Sequence, residues 1–561
     1  MFHRKAISFL SQWKASSRRK PLIIRGARQV GKTTLVHSFS KTYKQYLYIN
    51  LEKSQHKSLF TEYMDVKKLV ERLFFVEDLE LKYLSETLLF IDELQEVPKA
   101  VNLLRYFKED LPELHVIAAG SMLETLLGKN ITFPVGRVEY MMLRPVSFAE
   151  FLEATGEKSA LEQLHIVPMN AFAKDKLLGL FHTYALLGGM PEVIQAYAET
   201  KDITALKPIF STLLNAYHED AEKYAKSAEQ LQLIRFILDQ VLFEAGKRIT
   251  FQSFGKSNYK SKDVGEVLRT LQKTHLLQLM YPCVGHGIPL EQDFRKSPRL
   301  QYLDTGLVNF KVGLQKEIIG TEDLCSVYQG KLIEHLVGQE LLSGYFLPLD
   351  NIYFWVREKN SSSAELDFVY PFEGKLVPIE VKSGPKGKIK SLAVFMEQSK
   401  LNFAIRFYAG EQSLDTLKTP EGKTFYLLNL PYFLASKTES YIEWLQENLP
   451  EEEKELSMLS DVKMEYKRTI RKEEAAVSLA ELEENHYKVL EFCQEAPRQS
   501  KEIIEDGLHL SFQTRNKRIY IKPLLDLGLL EWTDQENPKS KKQAYRLTEK
   551  GRKALISSPF S

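Results

Sequence analysis

Nine residues near the start constrain this chain more than any other segment. Gly26-Ala27-Arg28-Gln29-Val30-Gly31-Lys32-Thr33-Thr34 follows the apolar run Pro21–Arg25, and Leu35 to Phe39 continue with helical apolar spacing. This is G-x-x-x-x-G-K-[ST] set between a strand and a helix. Gly26 and Gly31 let the backbone curl so that successive N–H groups point inward at phosphate oxygens. The helix N-terminus adds its partial positive charge. Lys32 has the reach for β- and γ-phosphates, and the Thr33 hydroxyl suits Mg²⁺. ATP and Mg²⁺ are the expected cofactors, with Gly26 through Thr34 as the cradle.

Such a loop needs a second strand to deliver a carboxylate to the magnesium. Leu88-Leu-Phe-Ile-Asp92-Glu93 has the apolar run of a buried parallel strand and ends in two acids. Asp92 is expected to hold Mg²⁺, and Glu93 to orient and deprotonate the attacking water. Gln45–Asn50 and His115–Ser121 read as further strands at α/β spacing. Ligands of a parallel sheet lie beyond the carboxyl ends of its strands. Ser121 is therefore either a polar sensor near the γ-phosphate or the N-cap of a helix beginning at Met122. Residues 4–20 read as a basic amphipathic helix, either a nucleic-acid or partner contact or a helix packed on the domain behind it.

The whole chain bounds the setting. At 561 residues and 44% hydrophobic it calls for three to five domains at roughly 100–200 residues each. Its 27% charged residues exclude a disordered or collagen-like chain. Three scattered cysteines exclude a disulfide framework or a cysteine-rich zinc module. Apolar runs are too short for a membrane span and the N-terminus is too charged for a secretory signal, so a cytoplasmic setting without membrane contact is expected. A net charge of +2 leaves any nucleic-acid affinity to local patches.

The nucleotide loop, the FIDELQ strand, AAGSMLETLLG and FPVGRVEYMMLRPVSFAEFL together resemble prokaryotic AAA-type ATPases that carry a domain of unknown function numbered 4143 (DUF4143). Gly188-Gly-Met-Pro-Glu192 and Leu303-Asp-Thr-Gly-Leu307 resemble further landmarks of that family, and the resemblance covers residues 1 to about 435. It implies that Gln95 assists beside the active water. For Arg137 it implies a nucleotide-sensing or finger arginine, against which stands a structural salt bridge. It also implies a helical lid after the sheet domain, and homo-oligomers in which one copy's arginine enters its neighbour's site.

A second constellation lies between residues 320 and 435. Glu334 stands among apolar residues of a helical stretch. Ala364–Tyr370 and Lys375–Lys382 read as a β-hairpin with Glu373-Gly374 as its two-residue loop. Phe372 then faces Lys375, and Asp367 lies opposite Glu380. Like charges opposite one another on a sheet repel unless a cation lies between them. Lys382 falls on the same face as Glu380. Two carboxylates and a lysine suit metal-assisted phosphodiester hydrolysis, with Asp367, Glu380 and Glu334 as candidate metal ligands. The arrangement resembles the D…E-x-K pattern of the restriction-endonuclease-like PD-(D/E)xK superfamily, although Leu366 stands where proline would. That fold also serves as a passive binding module. Arg357, Lys359, Lys386, Lys388 and Lys390 form a phosphate-attracting or simply solvated rim.

The tail reads as a charged linker followed by helix, turn, a helix from Phe512 to Leu527, and two strands joined by a lysine-rich loop, which resembles a winged helix. Gln513, Arg515, Asn516, Lys517 and Arg518 would lie early on its recognition helix. From Arg498 to Lys553 there are thirteen basic and eight acidic residues.

The expected fold class is α/β multidomain. It comprises a P-loop AAA-type parallel sheet domain (1–155), a helical lid (156–228), a winged-helix unit (229–318), a PD-(D/E)xK-like α/β domain (319–435), a charged linker (436–478) and a C-terminal winged helix (479–561). The expected function is an ATPase coupled to a nuclease-like region acting on DNA. The alternative is a nucleotide-gated DNA-binding or regulatory switch whose second site is silent.

Overall fold

A computed structural model describes residues 2–62, 65–120, 136–223, 225–314, 331–348, 350–357, 364–382, 389–449, 482–512, 514–534 and 543–556. Ser121, Lys359, Lys386, Lys388, Gln513, the lysine-rich loop 535–542 and most of the charged linker lie outside the described residues. The chain divides into two compact units, Met1–Leu445 and Gln446–Ser561.

Five parallel strands open the first unit: β1 (Leu22–Arg25), β2 (Gln45–Asn50), β3 (Thr87–Asp92), β4 (His115–Ala119) and β5 (Glu139–Met142), in the order β2-β3-β4-β1-β5. Side chains alternate across a strand, so Ile23, Leu47, Ile49, Leu89, Ile91, Val116 and Ala118 share one buried face. They pack on Leu69, Leu73 and Phe74 of the Val66–Val76 helix and on Val101, Leu104 and Phe107 of the Pro98–Asp110 helix.

The basic N-terminal segment is helical only over Ala6–Ala15 and buries Leu10 and Trp13 against this domain. Two of its arginines are engaged internally. Arg4 pairs with buried Glu150, and Arg19 donates to the Glu113 carbonyl.

Helices follow from Phe148 to Asp220, then Ala228–Gln240 and Ser261–Lys273. Strands β6 (Leu277–Met280) and β7 (Arg299–Tyr302) pair antiparallel. A six-stranded mixed sheet comes next, ordered β12-β13-β11-β10-β9-β8. Its members are β8 (Tyr353–Val356), β9 (Glu365–Phe372), β10 (Lys375–Val381), β11 (Phe403–Tyr408), β12 (Ser413–Lys418) and β13 (Thr424–Pro431). The helices Lys331–Leu342 and Lys390–Gln398 pack on it. The stretch read as linker from residue 436 begins instead with a helix, Thr438–Asn448. Its apolar stripe Tyr441, Ile442 and Leu445 is fully buried in the first unit.

The second unit gathers Val489, Leu490, Ile503, Ile504, Ile521, Leu524 and Leu529 into one core. Strands β14 (Leu530–Trp532) and β15 (Tyr545–Leu547) pair antiparallel. The helix expected from Phe512 to Leu527 is two helices, Thr514–Tyr520 and Lys522–Asp526. Pro523 has no N–H to give the Ile519 carbonyl, which is 2.8 Å from His486 Nε2 instead.

No helix among the described residues is long and apolar enough to cross a membrane.

Candidate functional site

The nucleotide loop curls after β1 as its glycines require. Gly26 has φ 146°, and a Cβ there would lie 2.4 Å from the Leu143 carbonyl oxygen, so no side chain fits. Gly31, in the left-handed region, starts the Lys32–Ser40 helix. Lys32 Nζ turns back into the loop and donates to the carbonyls of Gly26 (3.0 Å) and Ala27 (2.8 Å). Burial pushes its pKa down to about 8, against the opposing pull of Glu93 and Asp92.

Strand β3 brings Asp92 to the loop. Thr33 Oγ1 donates to Asp92 Oδ2 at 2.7 Å, and Asp92 Oδ1 accepts from the Glu93 amide at 3.0 Å. A hydroxyl and a carboxylate meeting beside a phosphate cradle is a hard-oxygen donor set that fits Mg²⁺. Glu93 leaves the strand with φ 53°, and Gln95 Nε2 donates to its Oε2. Burial raises the Glu93 carboxyl pKa, with the Gln95 hydrogen bond opposing.

A cavity of about 560 Å³ opens over these groups, bounded by Lys32, Thr33, Thr34 and Glu93 on one side and by Phe2, Pro191 and Gln195 on the other. Arg28 faces the helical region, paired with Asp220, and its carbonyl accepts from Tyr217 (3.3 Å). Gly26 through Thr34, Asp92 and Glu93 therefore come together. Arg137 does not join them. It precedes β5, whose Glu139 lies beside Leu22 at the amino ends of the strands, and it pairs with Glu109 at 2.9 Å. The structural salt bridge is what the fold gives this arginine within its own chain.

The second constellation forms on β9 and β10. Glu373 (φ 46°) and Gly374 (φ 78°) make the two-residue turn with positive φ at both positions that suits a tight hairpin. Phe372 pairs with Lys375, and the ladder runs to Phe368 opposite Ile379. Asp367 and Glu380 are the next residues in that register. Asp367 Oδ2 accepts from the Val381 amide at 2.7 Å, and Lys382 Nζ pairs with Glu380. Burial raises the pKa of Glu334, Asp367 and Glu380, and the charge of Asp367 adds to the rise at the other two.

Sequence reasoning missed what lies between these acids. Arg299, 4% exposed on β7, sends Nη1 to the Asp367 carbonyl (2.9 Å) and to Glu334 Oε2 (3.4 Å). Its Nη2 pairs with Glu365 and lies 3.7 Å from Asp367 Oδ1. Among the described residues no three His, Cys, Asp or Glu side chains are grouped to hold a metal. As arranged, the acids fit a guanidinium rather than a divalent ion.

A buried polar path was missed as well. Asp304 accepts from the amides of Gly189 (2.5 Å) and Leu307 (3.0 Å). Gln339 Oε1 accepts from the Thr305 amide (2.8 Å), and its Nε2 donates to Tyr184 (3.1 Å). Glu340 Oε1 accepts from Tyr184 (2.8 Å) and from the Phe148 amide (3.0 Å). Gln339, Glu340 and Glu334 all belong to the Lys331–Leu342 helix. Burial lifts Asp304 to about 6 and Glu340 to about 7.

Residues 18–152 match the family of an AAA domain, residues 178–317 a domain of unknown function numbered 8612, and residues 329–433 the domain numbered 4143. Gly188–Glu192 and Leu303–Leu307 fall inside the second of these matches. Among solved structures, a Walker-type ATPase of Pyrococcus abyssi shares 16% identity over 56% of this chain and 96% of its own, at a TM-score of 0.37. The Aeropyrum pernix Orc1 protein, solved in complex with DNA, shares 12% over 56% and 93%, at 0.24. PCH-2 of C. elegans shares 13% over 48% and 67%, at 0.18. No curated protein matches the chain.

Proposed function

We propose that this chain, which carries an AAA-type P-loop ATPase domain and a domain numbered 4143, hydrolyses Mg·ATP and uses the cycle to control a restriction-endonuclease-like, DNA-directed region in the cytoplasm. One helix supports the coupling. Lys331–Leu342 carries Glu334 beside Asp367 near its start. Near its end Gln339 and Glu340 hold Tyr184, the Phe148 amide and, through Asp304, the Gly189 amide. Pro191, two residues further, borders the nucleotide cavity. A shift of that border therefore reaches the acidic cluster through buried, hydrogen-bonded groups.

In the nucleotide site the amides of Gly26–Thr34 bind phosphate, and Lys32 exchanges its two carbonyl partners for β- and γ-oxygens. Thr33 and Asp92 would hold Mg²⁺, which when bound neutralises phosphate charge. Glu93 takes the proton of the attacking water, and the rise in its pKa on burial makes it a stronger base. Gln95 fixes the carboxylate's orientation. Ser121 is assigned as the γ-phosphate sensor. Arg137, remote from its own cleft, is assigned to a neighbouring copy in a homo-oligomer, which mass in solution with and without ATP tests.

DNA contact is assigned to the winged-helix units, residues 229–318 and 479–561, with Lys517 and Arg518 on the recognition helix. Replacing Glu93 with Gln should leave ATP bound and unhydrolysed. Turnover equal to wild type would refute the ATPase assignment.

At the second site, Asp367, Glu380 and Lys382 are the residues on which DNA cutting would depend, and cleavage unchanged by Asp367→Ala ends that assignment. Arg299 among the acids favours the other reading, a nucleotide-gated switch whose nuclease-like domain binds without cutting.

A further inference from the structure

Four carboxylates, Glu334, Glu365, Asp367 and Glu380, crowd the end of the β9–β10 hairpin. Three cations answer them: Arg299 in the middle, Lys382 on Glu380, and Arg248 on the outer oxygen of Glu365 at 3.1 Å. Arg248 and Lys382 come from the rim, with side chains 35% and 26% exposed, whereas the Arg299 side chain is 5% exposed. Arg299 reaches the cluster from β7, more than sixty residues before the hairpin. Its guanidinium lies over the rings of Phe354 (4.9 Å) and Phe368 (5.9 Å).

Within this cluster a guanidinium cannot be neutralised by losing a proton. A divalent ion between Glu334 and Asp367 would share their oxygens with it and repel it at close range in a water-poor pocket. The two occupants exclude one another. The strand that carries the arginine is itself held in place. On β7 the Tyr302 amide bonds His335 Nε2 (3.0 Å), and Gln301 Nε2 donates to the His335 carbonyl (2.9 Å).

We propose that Arg299 is the resident cation of this site, holding the place a divalent metal would take among Glu334, Asp367 and Glu380, so that metal enters only when β7 withdraws. The proposal deepens the restriction-endonuclease-like reading of the hairpin and leaves the ATPase assignment aside. ATP turnover, assayed on the same samples, reports on that assignment separately. Withdrawal has a route. Two residues past the end of β7, Asp304 grips Gly189, and so β7 is tied to the border of the nucleotide cavity.

Mn²⁺ titration of the full-length, nucleotide-free chain, with free ion read by electron paramagnetic resonance, tests the assignment. Wild type and Asp367→Asn/Glu380→Gln should take up equal amounts. Arg299→Gln should take up about one further ion per chain, lost again when Asp367→Asn is added, while Arg299→Lys, which keeps the charge, should gain none. Two results overturn the proposal. One is wild-type uptake that exceeds the double variant by an ion. The other is a folded Arg299→Gln, checked by circular dichroism, that gains none. Should Arg299→Gln unfold, the comparison of wild type with the double variant decides alone.

Discussion

Lys32 makes nucleotide affinity a function of pH. Its ammonium is buried among carbonyls, and its pKa is pushed down to about 8. A triphosphate binds the charged form, so affinity scales with the fraction protonated in the free protein. That fraction falls from about 90% at pH 7 to about 10% at pH 9, a loss of about tenfold, or about 1.4 kcal/mol. A lysine at its ordinary value of 10.5 would lose only about 3% over the same interval. Mg·ATP does not itself titrate there.

The dissociation constant of Mg·ATP, measured by calorimetry on the non-hydrolysing Glu93→Gln chain at half-unit steps, reads the effect. Removing the Glu93 carboxylate also removes a charge that holds the proton on Lys32, so the midpoint should lie somewhat below 8 in that background. Lys32→Arg cannot deprotonate in this range and should bind with a flat profile, however weakly. Affinity constant from pH 7 to 9 with Lys32 in place would refute the reasoning.

The clamp around Asp304 can be broken sterically. A Cβ at Gly306 would lie 2.1 Å from the Leu187 carbonyl oxygen, and the other atoms it would meet, Leu187 C and Gly188 N, are also backbone, which leaves no cheap escape. Gly306→Ala should therefore lower stability by about 3 kcal/mol or more, read by urea unfolding. Asp304 itself is raised to about 6 from 3.8 by burial, so the folded chain holds its proton more tightly than the unfolded one. Its contribution to stability falls as pH rises from about 4 through 6, by about 3 kcal/mol in all, and Asp304→Asn should remove that slope. In the second unit, replacing Lys517 and Arg518 together with alanine should reduce the slope of log K against log salt for duplex DNA by about 2. An unchanged slope would remove these residues from the interface.

What could be foreseen divides along a physical line. Asp92, Glu93 and the loop before them were legible because consecutive residues of one strand–turn–helix make the site, and glycine positions encode the curl. The facing of Asp367 and Glu380 was legible for a related reason. A two-residue turn with positive φ at Glu373 and Gly374 leaves one register open, and the inner ladder follows by counting. The single long helix expected before Leu527 failed on a local signal that was present, Pro523. Arg299, Asp304 and Glu340 gave no such signal.

By residue type these three belong on a surface, and apart from the Leu307 amide that Asp304 caps, their side-chain partners lie far along the chain. Glu340 sits in Leu336-Val337-Gly338-Gln339-Glu340-Leu341, an apolar run broken by polar residues in a helix, where a solvated face and a buried hydrogen bond look alike. The difference appears only once Phe148 and Tyr184, more than 150 residues earlier, are packed against it. Buried charge is tolerated only with partners in place, so these residues show which surfaces were folded together. Here they join the border of the nucleotide cavity to the acidic hairpin. If the two sites act as one device, substitutions along the Asp304–Gln339–Glu340 path should change how ATP affects the hairpin while leaving both sets of site residues intact.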